Sequence, residues 1–178
     1  MKRLTYILLA TLLITLPCCQ KHGKENTDTS IFIHLSETDS VDGNGMLQLL
    51  NTNGLSLLVY NNGMITHHDN RGIQDLLTLL NEQPERLKGA VVADKITGKA
   101  SAALLAAGGA KALFTNIICT PAKELLQANG IEVYFSEEVP MIINRTGDGQ
   151  CPMDARLQNI NSVEEAAQIL STEIYTNL

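Results

Sequence analysis

The sequence contains no tryptophan, three phenylalanines and four tyrosines. So few aromatic rings exclude a stacking platform for single-stranded nucleic acid. Positive charge is scarce too, with 13 Lys and Arg against 19 Asp and Glu. A nucleic-acid surface needs a basic face to replace counterions, and only a local basic pocket remains open here. No apolar run reaches the roughly 20 residues that span a bilayer. The longest, residues 4–16, follows Lys2 and Arg3 and has the layout of a secretory signal, a charged start before a short apolar region. Internal repeats are absent as well. What is present is 178 residues, enough for one ordinary domain and a tail.

The apolar run ends in Leu16-Pro17-Cys18-Cys19-Gln20, which resembles the lipobox of bacterial lipoproteins. That resemblance implies export and a lipid anchor on Cys19, which has Leu16 three residues before it and Cys18 immediately before it. An ordinary cleaved signal and a short membrane anchor are the alternatives. The expected division is a signal peptide over residues 1–18, a polar tether and poorly defined segment over 19–45, and a folded domain over 46–178. Export would place the chain on a membrane of the bacterial cell envelope. Loss of Lys2 and Arg3 leaves 11 basic residues against 19 acidic, a mature charge of about −8.

Beyond the tether, residues 31–35 suggest a short strand and 46–50 a short helix before the turn-rich 51–54. Two apolar runs, 55–60 and 64–68, flank Asn61-Asn62-Gly63, a strong hairpin signal because Asn and Gly accept positive φ. Strands and helices then alternate. Helices are expected over 72–80, 96–107 and 121–128, the last with Thr120 as cap and Pro121 at its first position. Strands are expected over 89–93, 111–117 and 131–135. Such alternation implies right-handed crossovers and parallel pairing. Ser162 and Glu165 fit a capping box that opens a final helix ending near Leu170. The fold class is therefore α/β, with a mixed sheet in which an N-terminal hairpin is followed by parallel strand–helix units.

Residues 91–111 place charges where a buried strand meets a helix, the sheet edge at which α/β proteins bind ligands. Asp94 reads either as the helix cap or as a site residue. Lys95 and Lys99, four apart, would share the first helical turn, where the macrodipole disfavours cations and an anion would relieve the conflict. Gly98 is a second anomaly, since glycine inside a helix is unfavourable by about 1 kcal/mol unless another group approaches closely. The alternative is a solvated turn. A second cluster lies in residues 144–151: Arg145 offers a planar fork for carboxylate or phosphate, Asn144 and Thr146 add polar groups, and Gly147 and Gly149 free the backbone. A structural turn with a surface arginine is the plain reading. Cys151 precedes Pro152 and so sits at an expected helix start, a reactive setting for a thiol, although buried structural cysteines are commoner.

The segments RGIQDLLTLL, KGAVVADKITGKASA and PMIINRTGDGQCPMD resemble the family known as the domain of unknown function (DUF) 1893. The resemblance covers about residues 54–163 and implies a cytidine deaminase-like fold, a three-layer α-β-α sandwich. It does not carry the zinc chemistry of that fold, which needs a His or Cys ligand with a nearby Glu and then a Pro-Cys-x-x-Cys pair. The corresponding positions read Arg71-Gly72-Ile73 and Asp94-Lys95-Ile96-Thr97-Gly98, with cations where a metal would sit. No metal or other cofactor is therefore expected. His67, His68 and Asp69 do not replace the missing ligands, because adjacent strand residues face opposite ways. Asn144-Arg145-Thr146 also matches a glycosylation sequon, which the bacterial signal disfavours.

The expected site gathers Arg71, Asp94, Lys95, Lys99, Asn144, Arg145 and Thr146 as ligand-binding groups, with Asp94, Lys95 and Cys151 as the candidates for catalysis. Three readings follow: binding of a small anionic or nucleotide-like ligand, an enzyme using Cys151 as nucleophile or redox thiol, and a non-catalytic structural or interaction module. The expected partners are the membrane, through the anchor, and the small ligand. Oligomeric state is open.

Overall fold

The computed structural model describes residues 42–176 other than Arg71. The signal, Cys19, the tether and the strand expected at 31–35 lie outside those residues. Helix α1 (Gly43–Asn53) starts at Asp42, whose carboxylate accepts the Asn44 N–H at 3.0 Å, and ends at Gly54 with φ 69°. It is longer than the expected 46–50, since the Asn53 side chain donates back to Leu49 O and holds the last turn helical. Strands β1 (Leu57–Asn61) and β2 (Met64–His68) then form the expected hairpin. Asn62 and Gly63 have φ of 50° and 78°, as a two-residue type I′ turn requires.

The remaining elements are α2 (Gln74–Glu82), a 3-10 turn at Pro84–Arg86, β3 (Val91–Thr97), α3 (Lys99–Ala107), β4 (Ala112–Cys119), α4 (Thr120–Ala128), β5 (Glu132–Val139), α5 (Pro152–Arg156) and α6 (Val163–Thr176). Five strands pair in the order β2-β1-β3-β4-β5, with β1 antiparallel to both neighbours and β3, β4 and β5 parallel. On one face, Met46 and Leu50 of α1 pack on Leu58, Ile65 and Ala93. On the other, α2, α3 and α4 cover Leu57, Val59, Val92 and Leu113. The result is a three-layer α-β-α sandwich on a mixed sheet. Helix α3 is its hub, touching α2, α4, α5 and α6, and residues 100–105 of it are all buried. Its alanines let backbone approach backbone, while Leu104 and Leu105, fully buried, each contribute about 1.5–3 kcal/mol.

Strand β3 does not stop at Ala93. It runs to Thr97, because Ile96 and Thr97 continue in register with Ile117 and Ile118 of β4. Asp94 and Lys95 are therefore strand residues, Gly98 is the cap position of α3 rather than an interior residue, and Lys99 alone of the two lysines occupies the helix. The expectation that Lys95 and Lys99 share one helical face is corrected. β5 likewise runs past Phe135 to Val139, since Glu137, Glu138 and Val139 pair with Ile117, Ile118 and Cys119. Thr120 is the first residue of α4 and not its cap; Cys119 takes the cap position and the Thr120 hydroxyl donates to Glu138 Oε1 at 2.8 Å.

Candidate ligand cavity at the carboxyl edge of the sheet

A cavity of about 600 Å³ opens where β3 hands over to α3. Asp94, Lys95, Gly98 and Ser101 form its sheet side, and residues 142–146 and 151–154 form the facing wall. Ile73, Ile96, Ile142, Ile143, Pro152 and Met153 make the walls largely apolar. A ligand-sized concavity with a few polar groups on apolar walls, at the carboxyl ends of parallel strands, is the usual setting of a small-molecule site in an α/β protein.

Asp94 is the most perturbed group in it. The side chain lies on the α3 face of β3, in step with Val92, and burial pushes its pKa up to about 7. The Thr97 hydroxyl donates to Oδ2 at 2.9 Å and the Ile96 N–H to Oδ1 at 3.3 Å, which offsets part of that rise. The Thr97 oxygen also lies 3.2 Å from that of Thr115, whose own proton goes to Ile117 O. Near neutral pH this acid is poised between donor and acceptor.

Helix α3 has no cap of its own at Gly98, and the missing anion comes from far along the chain. Asp154, 3 % exposed, accepts the Ala100 N–H at 3.0 Å through Oδ1. A methyl group at Gly98 would overlap that carboxylate, so the glycine is there for close approach, at an extended backbone (φ −91°) that any residue adopts. The anion that the sequence demanded at this helix start is thus internal. Asp154 Oδ2 is buried without a hydrogen-bond partner among the described residues, an unfavourable situation worth about 1–3 kcal/mol. Burial raises the pKa of Asp154, against the N–H groups of Ala100 and Lys99 and the Lys99 charge. Lys99 itself is turned away from any ligand: its ammonium donates to Leu157 O at 2.8 Å and Gln158 O at 3.5 Å, and it does not line the cavity.

The 144–149 loop is also partly occupied with itself. Asn144 Nδ2 donates to Asp148 Oδ1 at 2.8 Å, the Thr146 hydroxyl lies 2.6 Å from that oxygen, and Gly147 turns the chain with φ 76°. Those bonds hold Asp148 below its usual carboxylate range. Asn144 and Thr146 therefore shape the loop, and Arg145 is left projecting at the cavity rim. Neither Arg145 nor Lys95, both exposed, has an ion-pair partner among the described residues. Cys151, half-buried, lines the cavity at the start of α5, which is five residues long. Cys119 is buried in the core and free, and burial raises its pKa with help from the Asp154 charge.

Of the expected site residues, Asp94, Lys95, Asn144, Arg145, Thr146 and Cys151 converge on one cavity. Lys99 does not join them, and Arg71 lies outside the described residues, although the adjacent Gly72 lines the cavity. Asp154 and Ser101 were missed. Gly98 was the signal for Asp154, which closes the PMIINRTGDGQCPMD segment. His67 and His68 sit on β2 opposite Leu58 and Leu57, away from the cavity. Among the described residues no three His, Cys, Asp or Glu side chains gather as a metal site.

Fold and cavity together define an α/β sandwich protein with a ligand-sized cavity at its sheet edge. The sequence profile of the domain of unknown function DUF1893 matches residues 45–174, and the chain belongs to that family. A solved structure of a DUF1893 family protein (TM1506) from Thermotoga maritima is similar to it, with a TM-score of 0.68 and 24% identity over 79% of this chain and 97% of that one. At that identity the likeness is one of fold. No curated protein matches the chain.

Proposed function

We propose that the cavity binds a small anionic ligand of nucleotide-like chemistry, its negative group held by Arg145 and Lys95 and its uncharged part between the apolar walls. One observation carries this: two exposed cations without an ion-pair partner among the described residues line a cavity that also contains a buried acid with a pKa near 7. Arg145 suits a phosphate or carboxylate through its fork, and Asp94 can accept from or donate to a polar edge of the ligand. The test is a thermal-shift panel of nucleoside monophosphates, inorganic phosphate and small carboxylates on the full chain. At least one nucleotide raises the melting temperature, more than inorganic phosphate does, and Arg145→Ala removes the shift. A flat response across the panel would overturn the reading.

The second reading is an enzyme in which the Cys151 thiol acts as nucleophile with Asp94 as its acid–base partner; that both line the same cavity favours it. The hairpin followed by parallel strand–helix units supports a cytidine deaminase-like fold, without the zinc ligands that such chemistry requires. The charged start, short apolar run and Cys19 support an exported lipoprotein. Mass spectrometry of the membrane fraction checks this, since a diacylglyceryl group on Cys19 is expected and an unmodified soluble chain would contradict it.

A further inference from the structure

Two long-range bonds cross in opposite directions between α3 and α5. Asp154, in the first turn of α5, caps the start of α3 at Ala100, and Lys99, the first residue of α3, caps the end of α5 at Leu157 and Gln158. A five-residue helix has no stability of its own, so α5 exists because α3 holds it. The wall that leads into it is thinly secured. Met141 and Ile143 are 45 % and 54 % exposed, and an isolated bridge between Ile143 and Gln150, with the Cys151 N–H on Ile142 O, closes the loop's backbone on itself. Leu157, fully buried, anchors the far end, while Ile142 and Met153 make only partly buried contact with the core.

The clasp is also incomplete. One oxygen of Asp154 is bonded and the other is buried without a partner, whereas buried polar groups that serve stability alone are normally satisfied. A joint of this kind opens more readily than the sheet it rests on. Gly98 sets its fit, because any side chain there would push the carboxylate out.

We infer that Asp154 is a positioning residue that, with Gly98 and Lys99, clasps the Cys151-bearing wall onto α3 and thereby sets access to the cavity. The nature of what enters rests on the ligand reading above; the clasp does not. Cys151 reports the wall and Cys119 reports the core. The experiment is maleimide labelling of the native full chain with peptide mapping, which separates both thiols from Cys18 and Cys19. Gly98→Ala and Asp154→Ala label Cys151 at least about tenfold faster than wild type while Cys119 stays protected. Asp154→Asn, whose amide oxygen still accepts from Ala100, stays near the wild-type rate. Parallel exposure of Cys119 and Cys151, or no change at Cys151 in both variants, would overturn the inference. Hydrogen exchange on the unaltered chain is independent of any variant's folding: amides of residues 142–156 exchange at least about a hundredfold faster than those of β3 and β4, and equal protection would overturn it. Neither measurement contains a ligand, so a failure of nucleotide binding and a failure of the clasp are read separately.

Discussion

The two walls of the cavity are built on different principles. The sheet side belongs to the main core: Asp94, Gly98, Ala100 and Ser101 are buried, and β3 is paired on both edges. The facing wall, residues 141–154, exposes Met141 and Ile143 and rests on the core through partly buried Ile142 and Met153 and through Asp154. A rigid side that carries Asp94, opposite a loosely held side that carries the arginine and the thiol, is a division suited to a site that must admit a ligand and then surround it.

The largest contrast between the walls should appear in stability. Leu104→Ala, in the hub helix behind the sheet side, removes a fully buried side chain and should cost about 2–5 kcal/mol, whereas Ile143→Ala on the facing wall should change stability by less than about 0.5 kcal/mol. Urea denaturation of both variants checks this, and similar losses would show that the two walls form one cooperative unit.

A smaller effect is the pH dependence that Asp94 sets on the sheet side. Asp94 titrates near 3.8 in the unfolded chain and near 7 in the folded one, so between those values the folded state binds more protons. Its contribution therefore falls as pH rises from about 4 to about 7, by at most roughly 4 kcal/mol. Asp94→Asn should flatten that slope, leaving the variant more stable than wild type at pH 8 and without advantage at pH 4. Melting curves of the two proteins that stay parallel across this range would show that Asp94 is not desolvated. Arg145→Ala, on an exposed loop, should leave the pH profile unchanged.

The walls also differ in how far the sequence disclosed them. Asn62-Gly63 was legible because a two-residue turn is decided by its own φ preferences, and the β4–α4 handover because Pro121 can only open a helix. The end of β3 was not. Asp94 followed by Ile96 and an alanine-rich run has the local pattern of a capped helix, and only pairing with Ile117 and Ile118 keeps it extended. Asp154 was hidden for the same reason, since the bond that matters joins it to Ala100, 54 residues away. Lys99, together with Lys95, did register as a cation that required an anion, and Gly98 as a glycine that required close approach by another group. Sequence supplied the requirement and not the source, and Lys99 was assigned to a ligand when it serves the carbonyls of Leu157 and Gln158. Lys95 was placed at the site by its position at the sheet edge, which holds although the helical turn also expected there is strand, and Arg145 by its planar fork beside Gly147 and Gly149.

The smallest stability effects, and the largest on binding, belong to those two cations. Lys95→Met and Arg145→Met should each shift the melting temperature by little, as exposed residues without an ion-pair partner among the described residues. The most direct test of the account is a calorimetric titration of the full chain with the nucleotide that gives the largest thermal shift, repeated on the Lys95→Met/Arg145→Met double variant. The account predicts saturable one-site binding to the wild type, weakened at least about tenfold, or about 1.4 kcal/mol, by the double substitution. Binding of equal strength in both proteins, or heat from neither, would contradict it.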